Sequence, residues 1–103
     1  MDEKTLLEEK QPKVVEAFRK LMEASLTKGV LPLKVKELIA MSVGLAINCP
    51  DCVQGHTERA IKAGATPEEI AETLSVTLSC IGCPTFPRAK IIEKVLKSQR
   101  KST

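Results

Sequence analysis

The sequence has no tryptophan, no tyrosine and only two phenylalanines among its 103 residues. The large aromatic anchors that bulk out most small cores are therefore nearly absent, and the apolar content comes from Leu, Ile, Val and Ala. Nor is there a long hydrophobic run. The longest, Leu38 to Ile47, is interrupted by Ser42 and falls far short of a membrane span. The opening residues Met1-Asp2-Glu3-Lys4 lack the basic start and apolar stretch of a secretory signal. No sign of charge dominates, because 16 basic and 13 acidic residues leave +3, too mild to call for nucleic acid or an anionic surface. Those charges are interleaved with apolar positions, which excludes wholesale disorder. The absences together predict one soluble domain over residues 1–103, expected in the cytoplasm, with no nucleic-acid partner, no membrane partner and no cofactor. A chain of this size buries only about 60–65% of its unfolded surface, so completion of the core by self-association is expected as well.

Hydrophobic periodicity predicts an all-α fold of about five helices. Pro12 suits a first helical position, and Val14, Val15, Phe18, Leu21, Met22 and Leu26 follow at helical spacing until Gly29. Pro32 opens a second helix that is apolar nearly all round from Leu38 onward, a pattern of buried helices whose burial here calls for another subunit. Asn48-Cys49-Pro50 breaks it and starts a third, running through His56 and Ala60 to Gly64. Thr66-Pro67-Glu68-Glu69 is a capping-box restart for the fourth helix, which carries Ile70, Leu74, Val76, Leu78 and Ile81. Ser75 to Cys80 alternates like a strand, yet it follows a capped helix start with no turn signal and is read as helix. A last helix is expected from about Pro87, ending in a polar, basic tail over residues 97–103 that frays. Lys97, Arg100 and Lys101 in that tail lack interleaved aromatics and read as a solvated terminus.

The residues able to do chemistry are concentrated in Cys49-Pro50-Asp51-Cys52-Val53-Gln54-Gly55-His56. With Pro50 at the first helical position, Cys49 falls near the N-cap and Cys52 in the first turn. Unpaired amide donors and the helix dipole stabilise a thiolate there. Two cysteines at this spacing close a disulfide within one turn. His56, the only histidine, stands four residues after Cys52 on the same face, placed to accept a thiol proton directly or through a water. Electrostatics alone leaves open which cysteine attacks. A thioredoxin-like fold around the pair is excluded by the missing β-rich runs.

Glu37, then Cys49 after eleven intervening residues, then Cys52 and His56 form an ordered set that resembles the alkyl hydroperoxidase D-like branch of the carboxymuconolactone decarboxylase superfamily. Lys36-Glu37-Leu38-Ile39, His56-Thr57, Ala63-Gly64-Ala65 and Thr66-Pro67-Glu68-Glu69-Ile70 also look like that family, and the likeness covers residues 32–78. The resemblance implies an all-helical fold assembled as trimers or hexamers, and a thiol-dependent peroxidase. Cys52 is then the group that attacks a hydroperoxide, Cys49 resolves it as a disulfide, and His56 relays the thiol proton through water to Glu37. A dithiol or disulfide-reductase donor is implied as the source of electrons. Decarboxylating members of the superfamily generally lack the cysteine pair. Asp51 departs from members that carry a second histidine or an aromatic residue before the second cysteine. Its charge opposes a Cys52 thiolate if it points inward and merely favours the helix if it faces solvent.

Cys80-Ile81-Gly82-Cys83 lies outside that pattern. With the first pair it spells CxxC, 27 residues, CxxC, so the alternative reading is a zinc or iron–sulfur structural module on Cys49, Cys52, Cys80 and Cys83. Zinc ribbons, however, place a glycine after each second cysteine, where this chain has Val53 and Pro84. Cys80 and Cys83 are otherwise a second redox pair, a shuttle to the first, or plain core cysteines, and a disulfide-relay or scaffold role without peroxidase activity is the remaining alternative for the chain.

Overall fold

The computed structural model describes residues 4–101, the side chains of Arg100 and Lys101 excepted. The helices are α1 (Leu6–Lys10), α2 (Pro12–Ser25), α3 (Leu33–Ala46), α4 (Pro50–Lys62), α5 (Pro67–Ile81), α6 (Thr85–Arg88) and α7 (Lys90–Lys101), with no strand among the described residues. The fold is all-α. Its five long helices are those the periodicity predicts, and the Ser75–Cys80 segment lies in α5. The two short helices were not expected. The α1 helix is nucleated by a capping box in which Thr5 and Glu8 satisfy each other's backbone N–H groups.

Three expected boundaries move. The α2 helix stops at Ser25 rather than Gly29, because the backbone leaves helical geometry at Leu26 and Lys36 Nζ caps the Ser25 carbonyl at 2.9 Å. The α7 helix starts at Lys90 rather than near Pro87, which belongs to α6. Residues 97–101, expected to fray, continue α7, and the last two residues of that tail lie outside the described residues.

Two cross-links set the direction of α3 against α5. Lys34 Nζ donates to Glu69 Oε2 at 2.8 Å, and the Ser42 and Thr77 hydroxyls bond to each other, both pairs being 35 residues apart. A constant offset along two helices means that they run parallel, so their C-terminal ends share one end of the bundle. Lys34, and next the Thr66 N–H, hold the Glu69 carboxyl below the ordinary carboxylate range. The α4 helix returns antiparallel along α3 and α7 packs on α4, enclosing Met41, Leu45, Val53, Ala60, Ile70 and Ile92. The all-round apolar character of α3 resolves into two faces. Met41 and Leu45 are fully buried, whereas Ile39, Val43 and Ile47 form an i, i+4, i+8 stripe that the single chain leaves open. No described helix is long and apolar enough to cross a membrane.

Candidate active site

The turn between α3 and α4 fixes the cysteine pair. Asn48 takes the left-handed conformation at φ 56°, a role that Asn accepts with less strain than most side-chain-bearing residues. The Cys49 N–H then bonds back to the Gly44 carbonyl at 2.9 Å and the Asn48 N–H to Leu45 at 3.2 Å, the pair of bonds that defines a Schellman end. Arg88 Nη1 donates to the Leu45 carbonyl at 3.0 Å and lies 3.4 Å from that of Ala46, placing a cation at the negative end of the α3 dipole. Cys49 closes α3 and is at the same time the N-cap of α4. Its Sγ accepts from the Cys52 N–H at 3.3 Å, with Pro50 at the first helical position as the sequence predicts. Cys49 and Cys52 form a disulfide, their Cα atoms 5.2 Å apart.

The close approach of α3 and α4 depends on Gly44. A Cβ there would stand 3.1–3.2 Å from Val53 Cγ2, Cys52 Cβ and the Val53 backbone nitrogen. We therefore expect Gly44→Val to push α4 and its cysteine pair off α3. The cost is about 1–3 kcal/mol of overpacking, measurable by urea unfolding of the oxidised protein. An unchanged midpoint would show that the two helices slide apart freely.

One turn beyond Cys52, His56 meets the carboxylate that the sequence singles out. His56 Nδ1 lies 2.7 Å from Glu37 Oε1, a direct contact where a water-mediated relay was expected. Glu37 is 2% exposed, and an isolated carboxylate at that depth would be costly. Arg59, unremarked in the sequence, supplies the second partner, with Nε 3.4 Å from Glu37 Oε2 and Nη2 3.1 Å from His56 Nδ1. Only one of the two neighbours can use Nδ1 as a hydrogen-bond partner at a time. The arrangement that pairs every group has His56 donating from Nδ1 to the Glu37 carboxylate and Arg59 neutralising that carboxylate, which leaves the Nε2 lone pair of His56 to act as a base. Arg59 was detectable only as a cation three residues after His56 on the same face. Asp51 is exposed in the first turn of α4, the orientation that favours the helix N-terminus.

The structure does not bring the four cysteines together. Ser42 faces α5 while Gly44 faces Cys52, and two residues correspond to about 200° around a helix, so α3 stands between the two pairs. Cys80 and Cys83 are free and exposed. No group of three or more potential metal ligands occurs among the described residues. The four-cysteine metal module is thus corrected on geometry, and so is the reading of Cys80 and Cys83 as core residues.

The fold and site together define a small all-helical protein with a disulfide-forming cysteine pair at a helix N-terminus, backed by a buried carboxylate that meets an imidazole and a half-exposed guanidinium. The chain belongs to the carboxymuconolactone decarboxylase family, whose pattern it matches over residues 12–92. It is 40% identical to an uncharacterized protein of Cupriavidus necator over 74 residues, 72% of this chain and 66% of that one, so it spans just under two thirds of that relative. A carboxymuconolactone decarboxylase family protein from Legionella pneumophila has a similar crystal structure, with a TM-score of 0.79 at 33% identity over 88% of this chain and 82% of that one. A family member from Thermotoga maritima, described as a candidate for an antioxidative response, gives a TM-score of 0.81 at 29% identity over 87% and 93% of the two chains.

Proposed function

We propose that the protein is a thiol-dependent hydroperoxide reductase of the alkyl hydroperoxidase D-like kind. The observation that carries this reading is the joint placement of the Cys49–Cys52 pair at the α4 N-terminus and the His56–Glu37 pair one turn further on. In the reduced form, His56 Nε2 accepts the Cys52 thiol proton, and the imidazolium so formed is stabilised by the Glu37 carboxylate through Nδ1–H. The Cys52 thiolate attacks the distal peroxide oxygen. The O–O bond breaks, an alcohol or water leaves with a proton, and Cys52 becomes a sulfenic acid. Cys49 then attacks that sulfur, expelling water and closing the disulfide. An external dithiol or disulfide reductase returns the two electrons. The uncovered Ile39, Val43 and Ile47 stripe supports assembly with further copies of the chain as trimers or hexamers, and the antioxidative description of the Thermotoga relative is consistent with the same chemistry.

The test is intact mass after denaturing alkylation of the reduced protein carrying Cys80→Ser and Cys83→Ser, with and without one equivalent of hydroperoxide. The expected product carries two fewer alkyl groups, both missing from the peptide of Cys49 and Cys52. Full alkylation after peroxide would overturn the reading.

A further inference from the structure

We infer that Cys80 and Cys83 are a second thiol–disulfide couple, one that reduces the Cys49–Cys52 disulfide of another copy of the chain. The inference rests on the first pair being redox-active. Four observations carry it. Both thiols are free and exposed, so they are neither packing groups nor ligands of a shared centre. They have the three-residue separation that in the first pair gives Cα atoms 5.2 Å apart, within disulfide reach. Between them Gly82 ends α5 at φ 79°, with open space where a side chain would stand, so the backbone linking the two cysteines has glycine's freedom to turn. Finally, the parallel run of α3 and α5 puts both cysteine pairs at one end of the bundle, with α3 between them. Within one chain the four cysteines are not gathered at a single centre, whereas two molecules meeting by this end bring the dithiol of one to the disulfide of the other.

The helix ends set the direction of transfer. Cys49 and Cys52 sit at the positive end of α4, which favours negative charge on sulfur and so stabilises their reduced form. A disulfide whose reduced form is stabilised is the stronger oxidant. Cys80 sits at the opposite pole, in the last turn of the capped, fifteen-residue α5, and receives no such help. Electrons therefore run from the second pair to the first. A thiolate of the Cys80/Cys83 dithiol attacks a sulfur of the Cys49–Cys52 disulfide and expels the other as a thiolate. The remaining thiol of the attacking pair then displaces the mixed disulfide. One S–S bond replaces another, and two electrons and two protons change hands.

Two double variants isolate the couples: Cys49→Ser with Cys52→Ser retains only the second pair, and Cys80→Ser with Cys83→Ser only the first. Serine at position 49 keeps an N-cap acceptor, and circular dichroism checks both folds. The reduced first variant is mixed with the oxidised second under nitrogen, quenched with acid, alkylated and mapped by peptide mass. The expected result is a Cys80–Cys83 disulfide in one partner and alkylated Cys49 and Cys52 in the other, with at least a tenfold equilibrium preference for that direction. Cys80 and Cys83 left as thiols, a link between chains in place of one between each other, or the opposite direction of transfer would each overturn the inference. A second measurement needs no variant. One equivalent of diamide added to the reduced natural protein must leave the disulfide at Cys80–Cys83, and finding it at Cys49–Cys52 sinks the idea. Neither experiment contains a hydroperoxide, so failure here leaves the peroxidase reading standing, and inertness toward peroxide leaves these results readable.

Discussion

Cys52→Ser is expected to abolish hydroperoxide consumption, while Cys49→Ser is expected to stop after one turnover with a sulfenic acid on Cys52 that dimedone traps. The asymmetry comes from position on α4. Cys52 is the third residue of the helix, with His56 one turn ahead of it on the same face, so it is the sulfur with a base on its side. Cys49 is the N-cap, and its Sγ already accepts the Cys52 N–H. Serine is among the preferred N-cap residues, so the Cys49 variant keeps the helix start and loses only the resolving sulfur. Alkylation and peptide mapping locate the adduct. A dimedone adduct on Cys49 in the Cys52→Ser protein, with consumption preserved, would reverse the two roles.

Much of this site is legible in the sequence because its parts are local. Pro50 and Pro67 at first helical positions, the Thr66 to Glu69 box and the Cys52 to His56 step are all rules about neighbours along one helix, and all recur in the structure. The contact between Glu37 and His56 is of another kind. It requires α4 to fold back along α3 with Gly44 against Cys52, and that hairpin turns on a single left-handed Asn48, which no hydrophobic period announces. Arg59 is hidden for a different reason. A half-exposed arginine on a helix usually faces water, and only the buried carboxylate brought up from α3 gives it a partner. The four-cysteine reading failed because two CxxC pairs look alike in sequence, whereas the parallel run of α5 puts the second on the far side of α3. The open Ile39, Val43 and Ile47 stripe, by contrast, is the expected consequence of a helix too apolar for one small domain to cover.

Glu37→Gln is expected to lower hydroperoxide turnover by at least about a hundredfold, the lower range of what a positioned acid–base group contributes. The fold survives because the amide has the shape of the carboxylate and its oxygen still accepts from His56 Nδ1. What is lost is the negative charge that makes an imidazolium at His56 favourable once the thiol proton arrives. Arg59 is about half exposed and turns to water, so the broken ion pair itself costs little. Glu37→Ala does two things at once. It removes the charge and also empties a site that is 2% exposed, leaving the His56 N–H without its acceptor. A further loss of about 1–3 kcal/mol in stability follows from the unmade hydrogen bond. Urea unfolding separates the two variants, and steady-state kinetics should show the Gln effect in kcat with KM little changed. The chain has a single histidine, so the nitrogen shifts of one imidazole report the tautomer directly. In the natural protein the proton belongs on Nδ1, and in the Ala variant that preference should disappear. Full turnover by Glu37→Gln would mean that the buried carboxylate orients His56 without stabilising its charged form. His56 would then have to hand the thiol proton straight to solvent.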